Sequence, residues 1–163
     1  MSRTANLIEF IQWNRTRTLG FLDSIEKTAD PQAVLSFRPG PGRAHIGWQL
    51  MHIAVTEDIF ATERLEPGKI PKHRELWDRF RGGSTPDDQV PTAAEIRQTF
   101  ADCRDNLLDT LSHFNDDRLG EIPEALKARN LTILDVLHIL GWHEAHHQGQ
   151  SHITFNLWKA SQT

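Results

Sequence analysis

Proline is distributed unevenly along this chain, and the long stretches without it limit the fold more than any other feature. No proline occurs from Ala5 to Thr28, from Ile46 to Leu65 or from Thr132 to Lys159. Within each stretch apolar residues recur three or four positions apart, which is the period of an α-helix. Pro and Gly gather in the segments between them, such as FRPGPGRA at 37–44, and predict loops there.

Two of the predicted helices begin with a capping-box pattern. Thr92-Ala-Ala-Glu95 opens one that continues to Leu111, and Thr132-Ile-Leu-Asp135 opens the last with Asp in place of Glu. A short helix is expected around Arg74–Phe80, and no segment favours a β-strand over more than a few residues. Because no linker is long enough to separate two domains, residues 1–163 are predicted to form one all-α, up-down four-helix bundle.

The composition excludes several classes of protein. A net charge of -4 with neutral histidines argues against a basic domain that binds nucleic acid. The single cysteine, Cys103, excludes an internal disulfide framework and a cysteine-rich zinc site. No apolar stretch reaches the length of a membrane span, and MSRTANLIEF at 1–10 lacks the apolar run of a signal peptide. We therefore expect a cytoplasmic protein with no nucleic-acid or membrane partner.

Histidines are abundant and unevenly placed. The chain has nine, of which five lie between His138 and His152 on the last predicted helix. At about 100° per residue, His143 and His147 lie only about 40° apart, one turn from each other on the same helix face. Two imidazoles at this i, i+4 spacing suit a single metal ion. His138 and His152 fall on the opposite side of the helix.

A third ligand is expected from the second long helix. His52 shares a stripe with Trp48 and Ile59 that should face the interior, where an unpartnered imidazole would cost roughly 1–3 kcal/mol. Three neutral nitrogens leave positions for water or substrate, as in catalytic metal sites. The sequence thus predicts a divalent-metal site of His52, His143 and His147 between the second and last long helices. The competing interpretation is that these are hydrogen-bonded core histidines.

The segment 143–147 also matches H-E-x-x-H, in which Glu is the general base of zinc metalloproteases. The longer form of that motif requires Gly and His where this chain has Gln150 and Ile153, so a protease is not favoured. Glu144 is nevertheless the one carboxylate adjacent to the ligand pair. It is a candidate catalytic base or a residue that orients a ligand. The alternative is a solvated residue on the helix surface.

Two segments carry a resemblance to a known family. HIGWQLMHIAVTEDIF at 45–60 and LTILDVLHILGWHEAHHQGQSHI at 131–153 resemble the DinB/YfiT-like superfamily of small helical-bundle proteins with a three-histidine metal site. The family's first ligand corresponds to His52, and the other two correspond to His143 and His147. His45 departs from the Ser or Thr expected at the start of the second helix, which leaves the capping of that helix open.

The resemblance implies a four-helix bundle, often a homodimer, that binds Zn²⁺ or Ni²⁺. Similar proteins include thiol S-transferases, a thiol-dependent maleylpyruvate isomerase and metal-dependent hydrolases. We therefore expect a divalent-metal-dependent enzyme that acts on a small molecule. In it, the ion would activate either a low-molecular-weight thiol or a water. The alternative is a non-catalytic metal-binding or stress-response interaction protein.

Overall fold

The computed structural model describes residues 2–162, and every regular element within that range is helical. The prediction of an all-α chain is therefore confirmed for the described residues. None of their helices is long and apolar enough to cross a membrane. The α-helices are α1 (Arg3–Glu26), α2 (Pro31–Ser36), α3 (Ile46–Ile59), α4 (Trp77–Phe80), α5 (Ala93–Leu111) and α6 (Ile133–Ala160). Short 3₁₀ turns at Arg74–Leu76, Asp116–Arg118 and Glu124–Arg129 lie between them.

Both predicted capping boxes are present. The backbone N–H of Thr92 donates to the Glu95 carboxylate at 2.8 Å, and that of Thr132 donates to Asp135 at 2.9 Å. Each Thr hydroxyl in turn accepts from the backbone N–H three residues later. These exchanges satisfy donors that a helix start otherwise leaves without a partner, and so fix where α5 and α6 begin.

His45 caps α3 in place of the expected Ser or Thr. Its Nδ1 accepts from the backbone N–H of Trp48 at 2.9 Å, and its Nε2 donates to the Asp87 carbonyl at 3.2 Å. Burial lowers the pKa of this imidazole, with the positive charge of Arg38 as a further cause. The ring therefore stays neutral near pH 7, and Nδ1 keeps the lone pair that the cap requires.

The second long helix, α3, is buried on nearly all sides and not only along the predicted inward stripe. Of the residues in α3, only Gln49 and Thr56 are not buried, because α5 and α6 pack along the helix and α2 and α4 contact it as well. The helix continues without a break into a π-helical segment, Phe60–Leu65. The whole stretch predicted from Ile46 to Leu65 is therefore helical, and its final turns are wider than those of an α-helix.

The four long helices pack in a closed ring. Helix α1 packs against α5 and α6, and α3 packs against the same two helices from the other side. Two clusters of buried apolar side chains fill the interior. One surrounds α3 and includes Phe80 and Phe100, and the other joins Ile11 of α1 to the end of α5 and the start of α6. This arrangement brings the inner faces of α3 and α6, which carry the predicted ligands, together.

Candidate metal centre

Three imidazoles from two helices meet at one point. His52 comes from α3, and His143 and His147 come from successive turns of α6. One ring nitrogen of each lies within 4.8 Å of those of the other two, and the Nε2 atoms of His52 and His143 are 3.0 Å apart. A tetrahedral ion with metal–nitrogen bonds of about 2.0–2.1 Å keeps its ligand atoms about 3.3 Å apart. The three nitrogens are therefore close enough together to be ligands of one divalent ion.

Two of the rings are oriented by fixed acceptors. Nδ1–H of His52 donates to the Phe80 carbonyl at 2.6 Å, and Nδ1–H of His147 donates to Oε1 of Gln49 at 2.5 Å. The His52 ring also stacks on Trp48, with centroids 4.8 Å apart. Partners of this kind set the tautomer of a metal-binding histidine and leave Nε2 unprotonated.

The electrostatics of the cluster favour neutral rings. Burial, followed by the neighbouring imidazoles, lowers the pKa of His143 to about 3 and that of His147 to about 4. Burial also lowers the pKa of His52, against the opposing effect of its bond to Phe80. Neutral imidazole is the form that binds a metal, so near pH 7 no proton has to leave a charged ring before an ion can bind.

A cavity of about 690 Å³ adjoins two of the three imidazoles. His52 and His143 line it on one side, and its apolar wall includes Leu126, Ile139 and Trp142. Cavities of roughly 300–1,000 Å³ are the usual size for small-molecule sites. The histidine cluster is therefore accessible to a small ligand, although His52 itself is buried.

Glu144, the predicted candidate base, lies elsewhere. Its two carboxylate oxygens accept from Nε of Arg15 at 2.7 Å and from Nη2 of Arg104 at 2.6 Å. The same arginines bind Glu57, at 3.0 Å and 2.6 Å. Glu144 is only 1% exposed, so the expectation of a solvated surface residue is wrong. The structure does not bring this carboxylate together with the three imidazoles, and its role as a base stays a prediction.

These four residues form a buried ion network with one member from each long helix: Arg15 from α1, Glu57 from α3, Arg104 from α5 and Glu144 from α6. Burial alone would raise the pKa of Glu57, but Arg15 and Arg104 outweigh it and lower the pKa. Burial likewise opposes the charge of Arg104, and the two carboxylates raise its pKa. The network contains two charges of each sign and is therefore neutral overall.

Sequence reasoning missed the two groups that orient the imidazoles. Gln49 had a usable signal, because it precedes His52 by three residues and so lies one turn away on the same helix. The Phe80 carbonyl had none, since a backbone acceptor leaves no mark in the sequence. His146 and Gln150, which also belong to the histidine-rich segment, bond to each other at the surface with their Nε2 atoms 3.1 Å apart.

The family model of the DinB superfamily matches residues 11–151, a range that includes all three clustered histidines. The chain belongs to the DinB superfamily, as its motifs predicted. A comparison with curated proteins gave no match.

Proposed function

We propose that the protein is a divalent-metal-dependent enzyme in which His52, His143 and His147 hold the ion between α3 and α6. The observation that carries this proposal is the orientation of the rings. Two of them donate their Nδ1–H groups to fixed acceptors while their ring nitrogens converge within 4.8 Å. Membership of the DinB superfamily and the adjoining cavity support the same conclusion.

The chemistry follows from the number of ligands. Three imidazoles leave coordination positions for a further ligand, and a bound Zn²⁺ or Ni²⁺ would supply the Lewis acidity that lowers the pKa of a thiol or a water. The chain itself holds the rings in place through Gln49 and the Phe80 carbonyl, and its cavity provides space for a small substrate. The reactions proposed are transfer of a low-molecular-weight thiol and hydrolysis.

The architecture proposed for this function is an up-down four-helix bundle that forms one cytoplasmic domain and pairs as a homodimer. An apolar surface on α1 and α6 suits a second copy of the chain, since apolar patches of this kind mark protein contacts. Its side chains are 47–64% exposed: Phe10, Trp13, Trp142, Ile153 and Leu157. Sedimentation of wild type and of Trp13→Ser tests the pairing, and a monomeric wild type would refute it.

Metal content tests the proposed function directly. Tag-free protein is loaded with Zn²⁺ or Ni²⁺, desalted and measured by elemental mass spectrometry, alongside His52→Ala and the control His138→Ala. His138 is an exposed residue of α6, which makes it a matched histidine outside the cluster. Near one ion per chain is expected in wild type and the control, and none in His52→Ala. A wild-type protein that binds neither ion would refute the site.

Loaded protein then separates the enzyme from the alternative of a non-catalytic metal-binding or stress-response protein. Thiol transfer and ester hydrolysis are assayed on wild type and His52→Ala. An activity that requires the ion supports the enzyme. Stoichiometric metal with neither activity would favour the interaction protein.

A further inference from the structure

The cavity beside the histidine cluster is strongly basic, although the chain as a whole is acidic. Arg64, Arg81 and Arg129 line it, and none of the lining residues in the described range is Asp or Glu. The whole chain, these three arginines included, has 22 acidic residues against 18 basic ones. The cavity therefore concentrates three positive charges in a chain whose net charge is negative.

Two of these arginines have no carboxylate partner within residues 2–162. Ion pairs join Arg79 to Asp87 at 3.0 Å and Arg118 to Glu121 at 2.8 Å, but none involves Arg81 or Arg129. Arg64 contacts the neighbouring Glu63 at 3.0 Å. The charges at the cavity are thus largely left for a ligand rather than neutralised by the protein.

The three arginines reach the cavity from separate segments of the chain. Arg64 lies in the π-helical segment that follows α3, and Arg129 ends the 3₁₀ turn that precedes α6. Arg81 directly follows Phe80, whose carbonyl orients His52. A Cβ on the next residue, Gly82, would lie 3.9 Å from the His52 ring, so this segment passes directly beside the cluster.

We propose that the cavity binds a small organic anion. Arg81 and Arg129, with Arg64, bind its carboxylate or phosphate group, while an apolar portion lies against Leu126, Ile139 and Trp142. Guanidinium groups match both anions with paired N–H donors, and a half-enclosed site strengthens such contacts relative to water. The assignment rests on the proposed function only in placing the reactive end of the ligand toward His52 and His143.

Calorimetric titration tests the proposal with three probes of similar shape: phenyl phosphate, 3-phenylpropionate and the neutral 3-phenylpropionamide. They are titrated into zinc-loaded and metal-free full-length protein. At least one anion should bind about tenfold or more tightly than the amide, a difference that salt should reduce. The stronger anion identifies phosphate or carboxylate as the recognised group.

The variants are Arg81→Gln, Arg129→Gln and the double substitution, with Arg43→Gln as control. Arg43 is an exposed arginine in the loop before α3, away from the cavity. The double variant should lose at least about tenfold in anion affinity while binding the amide as wild type does. Circular dichroism and metal content should stay unchanged, which shows that the loss does not come from misfolding.

The possible results have different meanings. Equal affinity for anions and amide, or full anion affinity in the double variant, overturns the proposal. Anion binding that requires zinc but not the arginines also overturns it, because the ion alone would then be the binding group. Arginine-dependent binding in metal-free protein supports the anion site even if the proposed metal function fails.

Discussion

A buried ion network and a partly buried histidine cluster use adjacent residues of α6 in opposite ways. In the ion network, every carboxylate oxygen of Glu57 and Glu144 accepts from a guanidinium group, and all four long helices contribute a member. The histidine cluster draws on two helices and brings together three groups of one kind. None of its imidazoles is paired with a carboxylate in the described range.

The contrast separates a cluster whose charges are paired within the protein from one whose nitrogen lone pairs are open to an outside partner. In the ion network every charged side chain has a partner of opposite sign, and the arginines also donate to the carbonyls of Phe100 and Ile11. Each neutral imidazole has one N–H and one lone pair, and two of the three N–H groups donate to acceptors outside the cluster, so one N–H remains for three lone pairs. The lowered pKa values of the three rings mean that extra protons do not fill these lone pairs near pH 7. Placing His143 and Glu144 about 100° apart on α6 assigns each to a different cluster.

The largest effect is expected from breaking the ion network. Arg104→Met leaves two buried carboxylates with only Arg15, and should lower the free energy of unfolding by about 3–5 kcal/mol. Urea denaturation followed by circular dichroism measures the change. The control is Arg97→Met, whose ion pairs with Asp23 and Glu26 lie at the surface and should contribute less than about 1 kcal/mol. Equal losses in the two variants would show that the network is not a special source of stability.

Acid should affect the two clusters differently. The pKa values of His143 and His147 fall from 6.5 to about 3 and about 4 on folding, so the unfolded chain binds more protons below pH 6.5. Stability of the metal-free protein should therefore decrease from pH 6.5 to pH 4, by at least about 2 kcal/mol, since one pKa unit is worth about 1.4 kcal/mol. The lowered pKa of Glu57 keeps this carboxylate of the network ionised over most of this range.

Chemical denaturation at several pH values measures this dependence. The double variant His143→Phe/His147→Leu removes both titrating rings and should give a flatter profile. If stability depends on pH equally in wild type and the double variant, His143 and His147 are not the cause of the pH dependence.

Loss of a ring-orienting partner should have a moderate effect. Gln49→Ala removes the acceptor that holds His147, and Zn²⁺ affinity should fall about tenfold, or about 1.4 kcal/mol. Competition with a chelating dye measures the affinity. Gln12→Ala, at an exposed position of α1, serves as the control and should bind zinc as wild type does. An unchanged zinc affinity in Gln49→Ala would show that Gln49 does not support zinc binding.

The smallest effect is expected at His45, whose two ring nitrogens both have hydrogen-bond partners within the chain. His45→Ala and His45→Ser both remove the buried ring, but only Ser restores a cap acceptor for α3. The Ser variant should be more stable than the Ala variant by about 1 kcal/mol, measured by thermal unfolding. Both should keep the zinc affinity of wild type. A stability difference near zero would show that the cap bond contributes little.

The histidine cluster could be predicted from the sequence because the signals for it lie within single helices. The i, i+4 spacing of His143 and His147 is visible directly, and the helical stripe through His52 indicates an inward position. The ion pairs of Glu144 could not be predicted in this way, since its partners Arg15 and Arg104 lie 129 and 40 residues away in the sequence. Only the packing of all four long helices reveals them.

One signal of buried charge was nevertheless present in α3. Glu57 and Asp58 are the two acidic residues of a helix that is mostly apolar, and buried carboxylates require partners. Asp58 accepts from the backbone N–H groups of Lys72 and His73 and from the indole of Trp77, at 3.0, 3.2 and 3.0 Å. These bonds hold the segment that leads into α4. They thereby position the carbonyl at the end of that helix, which orients His52.

The ion network also affects how an ion would enter and leave the protein. Because it ties the four long helices together with the chain's own charges, we expect the backbone around the imidazoles to be in place before any ion arrives. The entropy of ordering the ligands is then lost during folding rather than during binding, unlike the case of a zinc finger, which is unfolded without its metal. If the proposed site holds an ion, we expect that a chelator can remove it and that a different metal can replace it without passage through the unfolded state.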